Sequence, residues 1–212
     1  MYKRKFNRYK RYRRWKKWRG GAMSVAKKAL AIAKSAKSEA KPEYKIFDLS
    51  ENNVNVDYNG YLPSLCIPAQ GDTDALRNGD RIKIANCTFR YKVARNGSDQ
   101  PVRVMILYDK QVKVGSSSDI LEMTGAFANA TLSPKNYDKR FQTQILYDRV
   151  IDLTTNNPIQ EVVTTVKVDK YCQFNIGTTT VNTGRLLALF ISNVNANTPQ
   201  ISYFSRVTFA DQ

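Results

Sequence analysis

Histidine is missing altogether from the 212 residues, and with it goes the side chain most used for acid–base work near neutral pH and for holding zinc. Cysteine is scarce. Cys66, Cys87 and Cys172 show no C-x-x-C spacing, which excludes the usual zinc motifs and c-type haem attachment. An odd count without a framework fits a reducing compartment, where thiols fill small apolar spaces. Long apolar runs are lacking too. The longest strongly apolar stretch is about Leu186–Ile191, and no apolar region follows the basic N-terminus, so neither a signal peptide nor a membrane span or anchor is expected. The phosphate-cradling G-x-x-x-x-G-K-[ST], the dinucleotide G-x-G-x-x-G and the nucleophile elbow G-x-S-x-G do not occur. An enzyme would have to work with carboxylates such as Asp72/Asp74/Asp80 or Asp148/Asp152, as paired acids or calcium ligands. Aspartates in such settings are far more often turn and strand-edge residues. The expectation is a non-enzyme with no metal and no cofactor.

Acidic residues are absent before Glu39, and what fills that space is informative. Positions 2–21 carry Lys3, Arg4, Lys5, Arg8, Lys10, Arg11, Arg13, Arg14, Lys16, Lys17 and Arg19, interleaved with Tyr2, Phe6, Tyr9, Tyr12, Trp15 and Trp18. Residues 1–45 hold 17 Lys+Arg against two acids, a net of +15, whereas residues 46–212 hold 17 against 16, a net of +1. A basic arm on a nearly neutral body points to a polyanionic partner for the arm. Each lysine or arginine set on a phosphate releases condensed counterions, which gives strong, salt-dependent binding indifferent to sequence. Tyr9, Trp15 and Trp18 can stack on bases, which favours single strands. Two other uses share this composition: a nuclear import signal, compatible with binding, and a membrane-surface anchor, disfavoured because basic residues occupy every helical face of 3–19.

After Gly20-Gly21 the character changes. In "AMSVAKKALAIAKSAKSEAK" (22–41) Val25, Ala29, Ile32, Ala33 and Ala36 fall within one arc, with Lys27, Lys34, Lys37 and Lys41 roughly opposite and Lys28 between. This predicts an amphipathic helix ending before Pro42. Its stripe can pack on the body, but an alanine stripe is a weak anchor, so Lys27, Lys28, Lys34 and Lys37 join the candidate nucleic-acid contacts.

From position 44 to 212 the period is two. Ile201, Tyr203, Val207 and Phe209 share one face of the last strand, and Val162, Thr164, Val166 and Val168 share a face of another. In "GDRIKIANCTFRYKVARNG" the phase shifts from Ile82 and Ile84 to Cys87, Phe89, Tyr91 and Val93, predicting a bulge or a change of sheet near Ala85-Asn86. "LLALFISNV" is apolar on both faces and predicts a strand covered on both. With "YKIFDLS", "PVRVMILYD" and "RFQTQILYDRVIDL" there are seven clear strands, an eighth expected near Tyr171–Ile176, and a short helix expected at Asp119–Thr124. The sum is an all-β, two-sheet antiparallel sandwich.

"IPAQGDTDALRNGDRIKIANCTFRYKV" and "LSPKNYDKRFQTQILYDRVIDL" resemble the single-jelly-roll capsid proteins of circular single-stranded DNA viruses that encode a replication initiator, and the coat proteins of satellite necrosis viruses. The shared pattern is Gln70-Gly71, then Arg77-x-Gly79-Asp80, then Ile82 and Ile84, with Lys139-Arg140-Phe141 leading a later strand, all behind a basic arm. The resemblance implies an eight-stranded jelly roll of two four-stranded sheets, about 60 copies closing a T=1 shell, and an arm that packages viral single-stranded genome, DNA favoured over RNA. It also implies residence in the virion, with passage through the host nucleus and its import receptors during assembly. Gln70, Gly71, Arg77, Gly79 and Asp80 are read either as a subunit interface or as a turn leading into a strand. No calcium ligands of satellite coat proteins can be matched here. A cellular nucleic-acid-binding β-sandwich module, monomeric or dimeric, remains the rival, and a satellite RNA-virus coat protein is the nearer alternative.

Overall fold

From Tyr44 onward the two-residue period of the sequence becomes the alternation of sheet faces. A computed structural model describes residues 25–32, 43–123 and 127–211, and the chain divides into Met1–Pro42 and Glu43–Gln212. In the first unit residues 25–32 are helical and exposed. The remaining turns of the helix expected at 22–41 lie outside the described residues.

The second unit holds strands β1 (Tyr44–Asn55), β2 (Arg81–Ala94), β3 (Gln100–Asp109), β4 (Thr143–Leu153), β5 (Ile159–Phe174), β6 (Val181–Thr183), β7 (Arg185–Ser192) and β8 (Gln200–Asp211). They form a five-stranded antiparallel sheet, β1-β8-β2-β5-β6, and a three-stranded one, β4-β3-β7. Segment 57–65 runs along the free edge of β7. The Tyr61 N–H donates to the Phe190 carbonyl at 2.8 Å, the Phe190 N–H donates back at 3.0 Å, and the Leu65 N–H reaches Leu186 at 2.9 Å. Pro63 has no N–H to offer, so the pairing is broken into the single bridges Tyr61–Phe190 and Ser64–Leu187. With this segment counted, each sheet has four principal strands, and the chain passes between the sheets in jelly-roll order. The architecture is an all-β jelly-roll sandwich.

Two local expectations are corrected. The strand expected near Tyr171–Ile176 is the end of β5, which runs unbroken for 16 residues. The strands that the periodicity misses are β6, only three residues long, and 57–65, which pairs through isolated bridges without an alternation. The helix expected at Asp119–Thr124 is a single 3-10 turn, Ser117–Asp119, followed by a second 3-10 segment, Phe127–Leu132. Asp119 closes the first turn because its carboxylate accepts the Gly115 and Ser116 N–H groups at 2.8 and 3.0 Å. Leu121 is then drawn into a bridge with Lys135, which no continuing helix could make. The phase shift in β2 is a bulge: register slips between Ile84 and Asn86 against both β5 and β8, and opposite it Asp169 takes φ = 48°.

The core between the sheets centres on aromatic rings. Phe89 lies 5.5 Å from Tyr91 and from Tyr203 and 6.0 Å from Phe190, and Phe190 lies 5.4 Å from Tyr203. A second cluster covers the other face of the small sheet. Met105, Leu107, Leu187, Leu189 and Ile191 pack there against Val114, Ile120, Leu121 and Ala130 from the connection between β3 and β4. That cover is fastened by Arg103, whose Nη1 donates to the Thr131 and Ser133 carbonyls at 3.2 and 2.6 Å while Nε and Nη2 grip Asp148 at 2.8 and 2.6 Å. β7 therefore reads as apolar on both faces because both are buried.

Where β6 turns into β7 the two sheets meet closely. The Tyr108 hydroxyl donates to the Tyr171 carbonyl at 2.6 Å, and Gly184, at φ = 76°, sits against both. A Cβ there would lie 2.0 Å from that carbonyl oxygen and 2.5 Å from the hydroxyl. Gly184→Ala should therefore lower stability by about 2 kcal/mol or more, read from urea unfolding followed by far-ultraviolet circular dichroism. Tryptophan fluorescence would miss it, since Trp15 and Trp18 both lie in the basic arm.

Asp119 also anchors the cover by an ion pair to Lys139. That contact, helped by the Gly115 and Ser116 N–H groups and opposed by burial, draws its carboxyl from 3.8 down to about 2. A lowered folded-state pKa contributes stability that is complete above the unfolded value and fades as pH falls through the folded one. Between about pH 4 and pH 2 the wild type should lose stability that Asp119→Asn never had. Denaturation midpoints across that window should converge, and parallel curves would contradict the assignment.

Candidate nucleic-acid interface

The candidate contacts of the arm, basic Lys3, Arg4, Lys5, Arg8, Lys10, Arg11, Arg13, Arg14, Lys16, Lys17 and Arg19 and aromatic Tyr9, Trp15 and Trp18, together with Lys34 and Lys37, lie outside the described residues. Lys27 and Lys28 are described. Both are exposed on the helix 25–32, beside the equally exposed Val25, Leu30 and Ile32.

The loop before β2 holds Gln70, Gly71, Arg77, Gly79 and Asp80 together. Gln70 and Arg77 pair as a short parallel bridge, with the Arg77 N–H donating to Ala69 at 3.0 Å and the Gly71 N–H to Arg77 at 2.9 Å. The Arg77 side chain has no exposed surface. Its Nη1 donates to the Gly79 carbonyl and, at 3.0 Å, to Asp80. Its Nη2 reaches the Thr178 carbonyl at 2.5 Å, and the guanidinium lies 4.4 Å from the Phe174 ring centroid. Lys45 pins the same loop from β1, donating to the Leu76 carbonyl at 2.9 Å and Asn78 at 2.8 Å beside Asp211 at 3.0 Å. Within this chain Arg77 fastens the strand-entry turn to the β5–β6 hairpin. Gly71 packs against Leu76, whose Cδ1 would lie 2.4 Å from a Cβ there and would have to turn away.

Two of the carboxylates considered for chemistry are engaged. Asp80 is held by Arg77 and Asp148 by Arg103, and among the described residues no group of three or more Cys, Asp or Glu is placed to hold a metal ion. The three cysteines are buried free thiols, with burial pushing Cys87 and Cys172 up to about 12 and Cys66 well above its ordinary value.

The structure also gathers a basic surface that the motifs above do not single out. The outer face of the large sheet carries Arg81, Lys83, Arg90 and Lys92 from β2, Lys167 from β5 and Arg206 from β8, with Tyr44, Tyr171 and Phe204 among them. Arg81 lies over Tyr171 at 4.1 Å and Arg206 over Phe204 at 5.6 Å. Asp48 is taken up by Arg206, which draws its carboxyl below the usual range, and Asp169 by Lys83. The signal was present in "RIKIANCTFRYKVA", where basic residues recur on the outward phase at 81, 83, 90 and 92. One strand alone shows only a solvated edge, and the neighbouring strands are needed to see a surface.

Neither a protein-family model nor a curated protein matches the sequence. Solved structures do. That of Desmodium yellow mottle tymovirus matches with a TM-score of 0.36 and 8% identity, over 81% of this chain and 89% of that one. Two of turnip yellow mosaic virus match with TM-scores of 0.35 and 0.31 and identities of 8% and 10%, each over 81% of this chain and over 95% and 94% of theirs. At such values the likeness carries no statement of function, which has to come from this chain's own residues.

Removing the buried guanidinium should be costly. Arg77→Ala should lower stability by about 2–3 kcal/mol, with Arg77→Lys intermediate because an ammonium cannot serve the Asp80 and Thr178 sides together. Urea unfolding followed by circular dichroism measures both, and an unchanged Arg77→Ala midpoint would refute the stapling role.

Proposed function

We propose that this chain is the structural subunit of a small viral shell, in which the jelly-roll body forms the wall and the basic N-terminal segment packages single-stranded nucleic acid. The observation that carries this is the partition of charge: +15 in residues 1–45, +1 in the 167 residues that follow, with the neutral part folded as a jelly roll. A body that needs no polyanion to fold, bearing a segment that cannot neutralise itself, is suited to enclosing one. About 60 copies in a T=1 shell would present roughly 900 positive charges, a scale fit for a genome of one to a few kilobases, small cations completing the neutralisation. The role is structural rather than enzymatic.

Assembly draws support from apolar groups left on the body's surface. Tyr137 and Phe141 are 66% and 73% exposed, flanking Arg140, whose guanidinium lies 3.6 and 4.5 Å from their ring centroids, and Leu132 is 74% exposed. Apolar groups of this size left exposed suit contacts with neighbouring copies. The resemblance set out above favours circular single-stranded DNA as the cargo, although charge and stacking serve either polymer. The same basic segment has the composition of an import signal, which fits assembly in a host nucleus.

Electron microscopy of the purified full-length protein tests the shell: closed particles about 20 nm across with a high 260/280 nm absorbance ratio are expected. A monomer that stays monomeric when nucleic acid is added would sink the proposal in favour of a cellular binding module. Deleting residues 1–41 should remove most nucleic-acid affinity. In the full-length protein, raising salt from about 50 to 200 mM should weaken binding by about 1000-fold or more, and a flat salt response would count against the arm.

A further inference from the structure

We infer that the outer face of the five-stranded sheet is a second contact surface for single-stranded nucleic acid, with Phe204 as a stacking platform and Arg90 and Lys92 as phosphate partners. This rests on the packaging role proposed above and adds a place where the packaged strand meets the wall.

The two sheets treat their outer faces differently. The small sheet's is closed by the β3–β4 connection and its apolar cluster. Within Glu43–Gln212, no described residue closes the large sheet's, which bears side chains of the kinds that bind single strands: cations, hydroxyls, an amide and aromatic rings. Between β1, β8, β2 and β5 lies a shallow depression of about 380 Å³ bordered by Asn52, Ser202, Phe204, Arg90, Lys92 and Val163, a size that can take a nucleotide-scale ligand.

Charge decides the occupant. Arg90 and Lys92 are exposed and, among the described residues, neither has a carboxylate within 4.0 Å. Among the described residues the one carboxylate bordering the depression is Glu161, which stands opposite Lys92 in the β2–β5 register. Elsewhere on the face the acids are spent on Arg206 and Lys83. The cations left over call for an anion, and the ring beside them selects a polyanion with stackable groups. Phe204 adjoins Arg90 in register, and the Arg206 guanidinium over its ring is itself fixed by two bonds to Asp48 at 2.9 and 2.7 Å. A base on Phe204 can thus have its phosphate within reach of β2. Paired bases have no free faces to stack, which favours single strands over duplex.

The test is photo-crosslinking of the full-length protein to an oligothymidylate carrying 5-iododeoxyuridine, with crosslinked peptides mapped by mass spectrometry. Crosslinks to β8 around Phe204 and to β2 around Arg90, in addition to those in residues 1–41, are expected. Phe204→Ala and the double variant Arg90→Gln, Lys92→Gln should each cut the sheet-face crosslinks by about fivefold or more while leaving those in 1–41 unchanged. The substitutions lie on the surface, and circular dichroism checks that each variant folds. Crosslinks confined to 1–41 would overturn the sheet-face surface and leave the packaging role standing. Crosslinks in neither place would overturn both, and sheet-face crosslinks indifferent to all three substitutions would overturn the assigned residues.

Discussion

A β-sheet has two faces, and each must be covered or made of side chains that tolerate water; most of this body follows from how that constraint is met. The sandwich interior takes one face of each sheet, filled by the Phe89, Tyr91, Phe190 and Tyr203 rings. The small sheet's other face is apolar as well, so a second cover is required, and the β3–β4 connection supplies it. Arg103 then has its job defined by position. It stands on that outer face and ties the cover's carbonyls and Asp148 to the sheet. The large sheet meets the constraint the other way, with serine, threonine, asparagine, lysine and arginine turned outward.

This constraint also explains what the sequence could and could not reveal. Strands long enough to show alternation are plain in it: β2, β5 and β8 have the inward residues expected of them, down to the slip at Ala85-Asn86. Strands that pair without alternation are invisible, which is why 57–65, interrupted by Pro63, and three-residue β6 escape. The doubly apolar "LLALFIS" announces that β7 is covered twice but not by what. That depends on Ile120, Leu121 and Ala130 folding back from a segment that reads locally as a helix start. Propensity yields there to a tertiary contact, the Leu121–Lys135 bridge.

The site was legible in a different way. Charge partition needs only counting, so the basic segment stands out without any structure. Arg77 also stands out, yet its role depends on neighbours far apart in sequence, Thr178 and Phe174, 101 and 97 positions on. A motif shows that a residue is constrained; its surroundings show by what. The outer sheet face is harder still, because no single strand carries it. Arg90 on β2 meets Phe204 on β8 only once register is known.

Two basic surfaces of such different density suggest a division of labour. In the proposed packaging role, residues 1–42, which concentrate 16 cations, would release many counterions, capture a strand at a distance and dominate affinity, with little say over where the strand lies. Arg90 and Lys92 on the sheet would add few charges and little affinity, but their positions are fixed relative to Phe204 and, in a closed shell, would repeat with its symmetry. Contacts of that kind position a polymer rather than hold it. Salt should therefore act unequally: screening that strips the dense segment leaves a stacked base on Phe204 less affected, because stacking does not depend on counterions.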